Sequence, residues 1–85
     1  MTISVVTGAN SGIGRATAIH LAQQGHTVYG TVRSVDKAGK LQAMSAEAQV
    51  EINLVELDIA DDESVSTGFA QILNETDGCV DVLVN

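Results

Sequence analysis

Eighty-five residues allow at most one small domain, near the lower limit for a self-sustaining core. Hydrophobic residues make up 45% of them, which excludes a disordered polymer, and no apolar run approaches the roughly 20 residues of a membrane span. The net charge of −7 hides an asymmetry: all four basic residues (Arg15, Arg33, Lys37, Lys40) lie in the first half with Asp36 as its only acid, which gives no basic stripe for nucleic acid but suits a small phosphorylated ligand.

The apolar stretch Ile3-Ser4-Val5-Val6 predicts a first strand from about Thr2 to Thr7. It runs directly into Thr7-Gly8-Ala9-Asn10-Ser11-Gly12-Ile13-Gly14. Glycines let a chain turn tightly and approach a ligand closely, and the free N–H groups of a following helix point at a bound anion. That helix is predicted from Gly14, Ala18, Leu21 and Ala22 on one face, with Gly25 as its stop. A second strand spans Thr27 to about Val32. Ala38, Leu41, Met44 and Ala48 then form a helical stripe. The third strand, Val50 to Leu57, sets Ile52, Leu54 and Glu56 against Asn53, Val55 and Leu57. Asp61 is placed to cap a third helix, with Asp62 and Glu63 at the positive end of its dipole and Val65, Phe69, Ile72 and Thr76 on one face. Gly68 within it marks either a close neighbour or a tolerated defect, and Gly78 ends it. Val80 to Val84 is the last strand.

Strands alternating with helices over short connections predict an α/β fold: a Rossmann-like, doubly wound parallel sheet of about four strands and three helices. Right-handed crossovers give the strand order 3-2-1-4. The first two helices then cover one face and only the third covers the other. The last strand becomes an exposed apolar edge, so the chain is expected to be a piece of something larger.

The pattern Thr-Gly-x-x-x-Gly-Ile-Gly at Thr7 to Gly14 resembles the cofactor motif of the short-chain dehydrogenase/reductase family. Its spacing differs from Gly-x-Gly-x-x-Gly, and a nucleotide-triphosphatase P-loop fails because no Gly-Lys-Ser/Thr follows. Arg33 just past the second strand, Leu57-Asp58-Ile59 at the end of the third, and Asp81-Val82-Leu83-Val84-Asn85 also match. The last of these resembles the start of the family's Asn-Asn-Ala-Gly segment. The resemblance spans all 85 residues and implies the N-terminal part of a single dinucleotide-binding domain.

Each match has a physical role. Gly8 permits the tight turn, Gly12 admits the pyrophosphate, and Gly14 lets the helix pack against the first strand. Asn10, Ser11 and Ile13 offer groups to phosphate or ribose. A site preferring NAD usually carries an acid at the end of the second strand, about 20 residues past the glycines. Here Val32 stands there and Arg33 follows, which favours NADP, because a guanidinium pairs with a 2′-phosphate that a carboxylate would repel. Ser34 adds a hydroxyl. By resemblance, Asp58 binds the adenine amino group, Ile59 lines that pocket, and Asn85 begins the segment beside the adenosine ribose.

The resemblance implies hydride transfer between a nicotinamide and a carbonyl or alcohol, using a tyrosine with a lysine four residues later, a serine and an asparagine. Tyr29 lies within a strand and is followed four residues on by Arg33, so it cannot fill that role. The catalytic and substrate-binding segments are therefore expected beyond Asn85, and the 85 residues alone are expected to be inactive. A small-molecule substrate and a homo-oligomeric state are implied only for a full-length parent. Two other functions fit the residues: a non-catalytic module that senses or holds NADP, and an interaction protein that lends its edge strand to another sheet. His20 and His26 are not spaced for a metal, and Cys79 leads into a strand. A single cysteine and no secretory signal place the expected compartment in the cytoplasm.

Overall fold

The computed structural model describes residues 2–84. Strands β1 (Ile3–Val6), β2 (Thr27–Val32), β3 (Ile52–Glu56) and β4 (Val82–Val84) alternate with helices α1 (Gly12–Gln23), α2 (Gly39–Glu47) and α3 (Asp62–Glu75). A 3-10 turn over Val35–Lys37 precedes α2. All three strand pairings are parallel, in the order β3-β2-β1-β4, with Val5 beside Tyr29 on one side and Leu83 on the other. This is the predicted doubly wound sheet.

Because strand side chains alternate, β1 sends Val6 to one face and Val5 to the other. Val6, Val28 and Val32 are buried with Ala18, Ile19 and Leu41 beneath α1 and α2. Val5, Tyr29 and Val55 are buried with Ile72 of α3. The second face is thinly covered. Leu83, the neighbour of Val5 on β4, remains 52% exposed, as expected of an edge with helix on only part of its face.

Helix ends follow local chemistry. The Asp61 carboxylate accepts from Glu63 N (3.0 Å) and Ser64 N (3.4 Å), the predicted cap of α3. Gly25, at φ +91°, closes α1 as predicted: its N–H reaches Ala22 O, and His26 N–H reaches Leu21 O. The third helix turns one residue before Gly78, because Asp77 adopts the left-handed conformation at φ 55°. In α2 the expected stripe holds at Ala38, Leu41 and Ala48, which lie in or against the core, and departs at Met44. Leu41 and Ser45 are buried while Met44 is 37% exposed, and Ala38 caps the helix rather than lying within it. Gly68 does have a close neighbour: a Cβ there would stand 2.7 Å from Leu57 Cδ1.

Candidate functional site

The ends of β1, β2 and β3 point the same way in a parallel sheet, so the segments that follow them meet at one edge. There the order reverses, since β2 and β4 flank β1. The glycine loop is anchored to both neighbours. Thr7 N–H and Oγ1 donate to Val84 O (2.9 and 3.2 Å), and Ala9 N–H donates to Thr31 O (2.9 Å). Gly8 N–H reaches Thr31 Oγ1 at 3.3 Å. Ala9 is buried against β2 because Gly30 has no side chain; a Cβ on Gly30 would stand 2.9 Å from Ala9 Cβ.

Gly8 turns the chain at φ +65°, and its carbonyl accepts from Ser11 N–H (3.1 Å) and Ser11 Oγ (2.9 Å). Ser11 Oγ in turn accepts from Gly14 N–H at 3.3 Å, which makes Ser11 the N-cap of α1. The tight partner of Gly14 is the Gly8 backbone carbonyl, which a Cβ on Gly14 would overlap. Its missing side chain therefore closes the loop on itself, where packing against the first strand was expected. At Gly12 the reverse holds: an added Cβ would meet nothing within 4 Å. Among the described residues, the N–H groups of Gly12 and Ile13 have no protein acceptor. The first turn of α1 holds no acid, so its positive end is uncompensated. An anion approaching Gly12 meets open space, free donors and positive potential.

Beside the loop lies a cleft of about 250 Å³ lined by Gly8, Thr31, Arg33, Leu57, Asp58, Ile59 and Ala60. It is the edge the sequence pointed to, and it gathers Gly8, Arg33, Asp58 and Ile59. Arg33 Nε lies 3.9 Å from Asp58 Oδ1, with the two side chains 81% and 41% exposed. So open a pair holds Arg33 weakly and leaves its guanidinium available. Asp58 is better fixed. Its Oδ1 accepts from Ala60 N–H (3.0 Å) and its own N–H donates to Ser64 Oγ (2.8 Å). Ile59, in the cleft lining, is 75% exposed, and Ile13 in the first turn of α1 is 86% exposed.

The other expected residues are placed differently. Asn10 turns its amide to Lys37 O (2.9 Å). Ser34 is half-buried at the start of the 3-10 turn, outside the cleft lining, and its hydroxyl makes no capping bond. Asn85 lies outside the described residues. Thr31, Ala9 and Gly30 were not singled out, although a glycine inside a strand is itself a signal of close backbone approach.

Tyr29 does not line the cleft. It is buried among Val5, Val55 and Ile72, where burial first, and then the charge and hydrogen bond of Glu75, raise its phenol above the ordinary 10.0. His26 Nδ1 lies 2.6 Å from Oγ of the buried Ser4 and satisfies it. Among the described residues no group of three or more His, Cys, Asp or Glu could hold a metal, and no helix is long and apolar enough to cross a membrane.

The family model for short chain dehydrogenase matches residues 2–85. Retinol dehydrogenase 11 of Mus musculus is 42% identical over 86% of this chain and 24% of its own length. The 3-oxoacyl-[acyl-carrier-protein] reductase FabG of Aquifex aeolicus is 38% identical over 98% of this chain and 34% of its own. Among solved structures, an alcohol dehydrogenase from the archaeon Thermococcus sibiricus, complexed with 5-hydroxy-NADP, superposes with a TM-score of 0.80 at 38% identity. That match covers 98% of this chain and 35% of the other. The chain thus spans between a quarter and about a third of the proteins it resembles. Parallel sheet, self-closed glycine loop and matched family model agree: the chain belongs to the short-chain dehydrogenase family, whose relatives are oxidoreductases acting on alcohol and carbonyl groups.

Proposed function

We propose that this chain is the cofactor-binding portion of an NADP-preferring short-chain oxidoreductase and forms part of a single dinucleotide-binding domain. The observation that carries this is the arrangement around Gly12 and Arg33. Gly12 and Ile13 offer free N–H groups, Gly12 leaves room where a pyrophosphate would lie, and Arg33 stands just past β2, paired only weakly with Asp58 across the cleft. The strand-end position that an acid would occupy in an NAD site is Val32, 1% exposed and turned into the core. The NADP derivative held by the Thermococcus sibiricus neighbour agrees with this preference.

The residues fit a dinucleotide in chemical kind as well as in place. Gly12 and Ile13 N–H take the pyrophosphate, Arg33 takes the 2′-phosphate, and Asp58 with Ile59 holds the adenine. When bound, the nicotinamide donates or accepts a hydride. The chain's own contribution is to bind and orient the adenosine end. Acid/base work falls to groups other than Tyr29, which is buried under α3.

Titration of the purified chain with NADPH and NADH, followed by cofactor fluorescence, tests this. A charge-assisted pair at an exposed site predicts NADPH tighter by about tenfold. In Arg33→Asp that preference disappears or inverts. Equal losses for both cofactors would remove the 2′-phosphate role.

A further inference from the structure

We propose that Asn10 is a positioning residue for recognition of the 2′-phosphate, acting through the segment that carries Arg33; this rests on the NADP preference proposed above. The glycine loop grips β2 and the turn after it at two points that straddle Arg33. On one side, Ala9 N–H and Gly8 N–H hold Thr31. On the other, the Asn10 side-chain amide donates to Lys37 O at 2.9 Å. Asn10 is itself fixed, since Arg15 Nη1 donates to its backbone carbonyl at 3.0 Å. Between the two grips, the Arg33 side chain makes a single ion pair among the described residues, the open one with Asp58 at 3.9 Å. With no firm side-chain anchor, the reach of the guanidinium is bounded by the backbone that carries it. Lys37 N–H closes the 3-10 turn on Ser34 O (3.1 Å), so holding Lys37 O holds the whole turn from Ser34 onward. The loop that receives the pyrophosphate thereby fixes the distance to the group that receives the 2′-phosphate. A dinucleotide bearing both phosphates gains from that fixed span; one lacking the 2′-phosphate does not.

A double-mutant cycle with NADPH and NADH as probes tests this on the full 85-residue chain. Asn10→Ala is expected to weaken NADPH about threefold to tenfold, as for a lost neutral hydrogen bond, and to leave NADH unchanged. In the Arg33→Ala background, adding Asn10→Ala is expected to cost NADPH nothing more. Unchanged NADH affinity also shows that the variant is folded; if alanine impairs folding, Asn10→Ser keeps a polar loop but is too short to reach Lys37 O. Equal losses for both cofactors, or an NADPH loss that persists without Arg33, would overturn the role of Asn10. If Arg33→Ala alone leaves the cofactor preference intact, it is the NADP assignment itself that fails.

Discussion

Two glycines of the loop, two residues apart, should respond to the same substitution in opposite ways. At Gly12 an added methyl meets nothing within 4 Å, and the residue begins α1 with no positive φ to preserve. Gly12→Ala should therefore stabilise the free chain by roughly 0.4–1 kcal/mol, through lost freedom of the unfolded state. The space it fills is the space assigned to the pyrophosphate. Overpacking of about 1–3 kcal/mol at that contact predicts NADPH weakened by about 5-fold to 150-fold. At Gly14 the methyl overlaps the Gly8 carbonyl oxygen and stands 2.9 Å from the carbonyl carbon and 3.1 Å from Ser11 Oγ. Backbone cannot yield there without releasing the two bonds that Gly8 O accepts from Ser11. Loss of the Ser11 cap, about 1 kcal/mol, cancels the similar gain in helix propensity. The steric strain remains, so Gly14→Ala should destabilise by about 1–3 kcal/mol. Urea unfolding followed by circular dichroism measures the first quantity, and NADPH titration the second. A Gly12→Ala chain that is less stable, or one that binds NADPH as before, would refute the reasoning about open space. A Gly14→Ala chain as stable as the parent would refute the closed loop.

Three other outcomes follow from the packing and the caps. Gln49 ends α2 at φ 59°, with Gln49 N–H on Ala46 O and Val50 N–H on Ser45 O; replacing it with glycine should stabilise the chain by about 0.5–1 kcal/mol in urea unfolding. Gly68→Ala pushes on Leu57, whose Cβ and Cγ would both lie 3.2 Å from the new methyl, and should destabilise by about 1–2 kcal/mol. In a Leu57→Ala chain, which loses the Cγ and Cδ1 contacts and keeps only the Cβ at 3.2 Å, the same substitution should cost clearly less, and an undiminished loss there would exclude the outer Leu57 side chain as its cause. Tyr29 is the only tyrosine, so phenolate absorbance reports it alone. Its raised pKa means that the fold favours the neutral phenol. That stabilisation is fully present below the ordinary 10.0 and is lost as pH rises through the folded value. Glu75→Gln should bring the titration part of the way down and leave the share due to burial, whereas a parent titration at or below 10.0 would contradict the buried placement.

Most of the fold was legible because it depends on period. Alternation in Asn53 to Leu57 and the fourfold spacing of Ala18 and Ala22 are properties of sequence. In α2, Met44 and Ser45 stand three and four residues past Leu41 on the same side of the helix, so apolarity pointed to Met44 while the packing buries Ser45. β3 starts at Ile52, two residues later than expected, because Gln49 leaves α2 in a left-handed turn. In the site, residues whose side chains act were found by type, as with Gly8, Arg33 and Asp58. Residues whose role is to meet main chain were not. Lys37 O and Thr31 O carry no signature in the sequence, so Asn10 looked like a ligand contact before its amide was seen to hold the turn beside Arg33.

The central claim is that one dinucleotide bridges the start of α1 and Arg33. Amide NMR spectra of the chain, recorded with NADPH and with NADH, test it most directly. The account predicts that both cofactors shift the Gly12 and Ile13 amides, while Arg33 and Ser34 shift further with NADPH than with NADH. Shifts at Arg33 and Ser34 of equal size with both cofactors, or no shift at Gly12 with either, would contradict it.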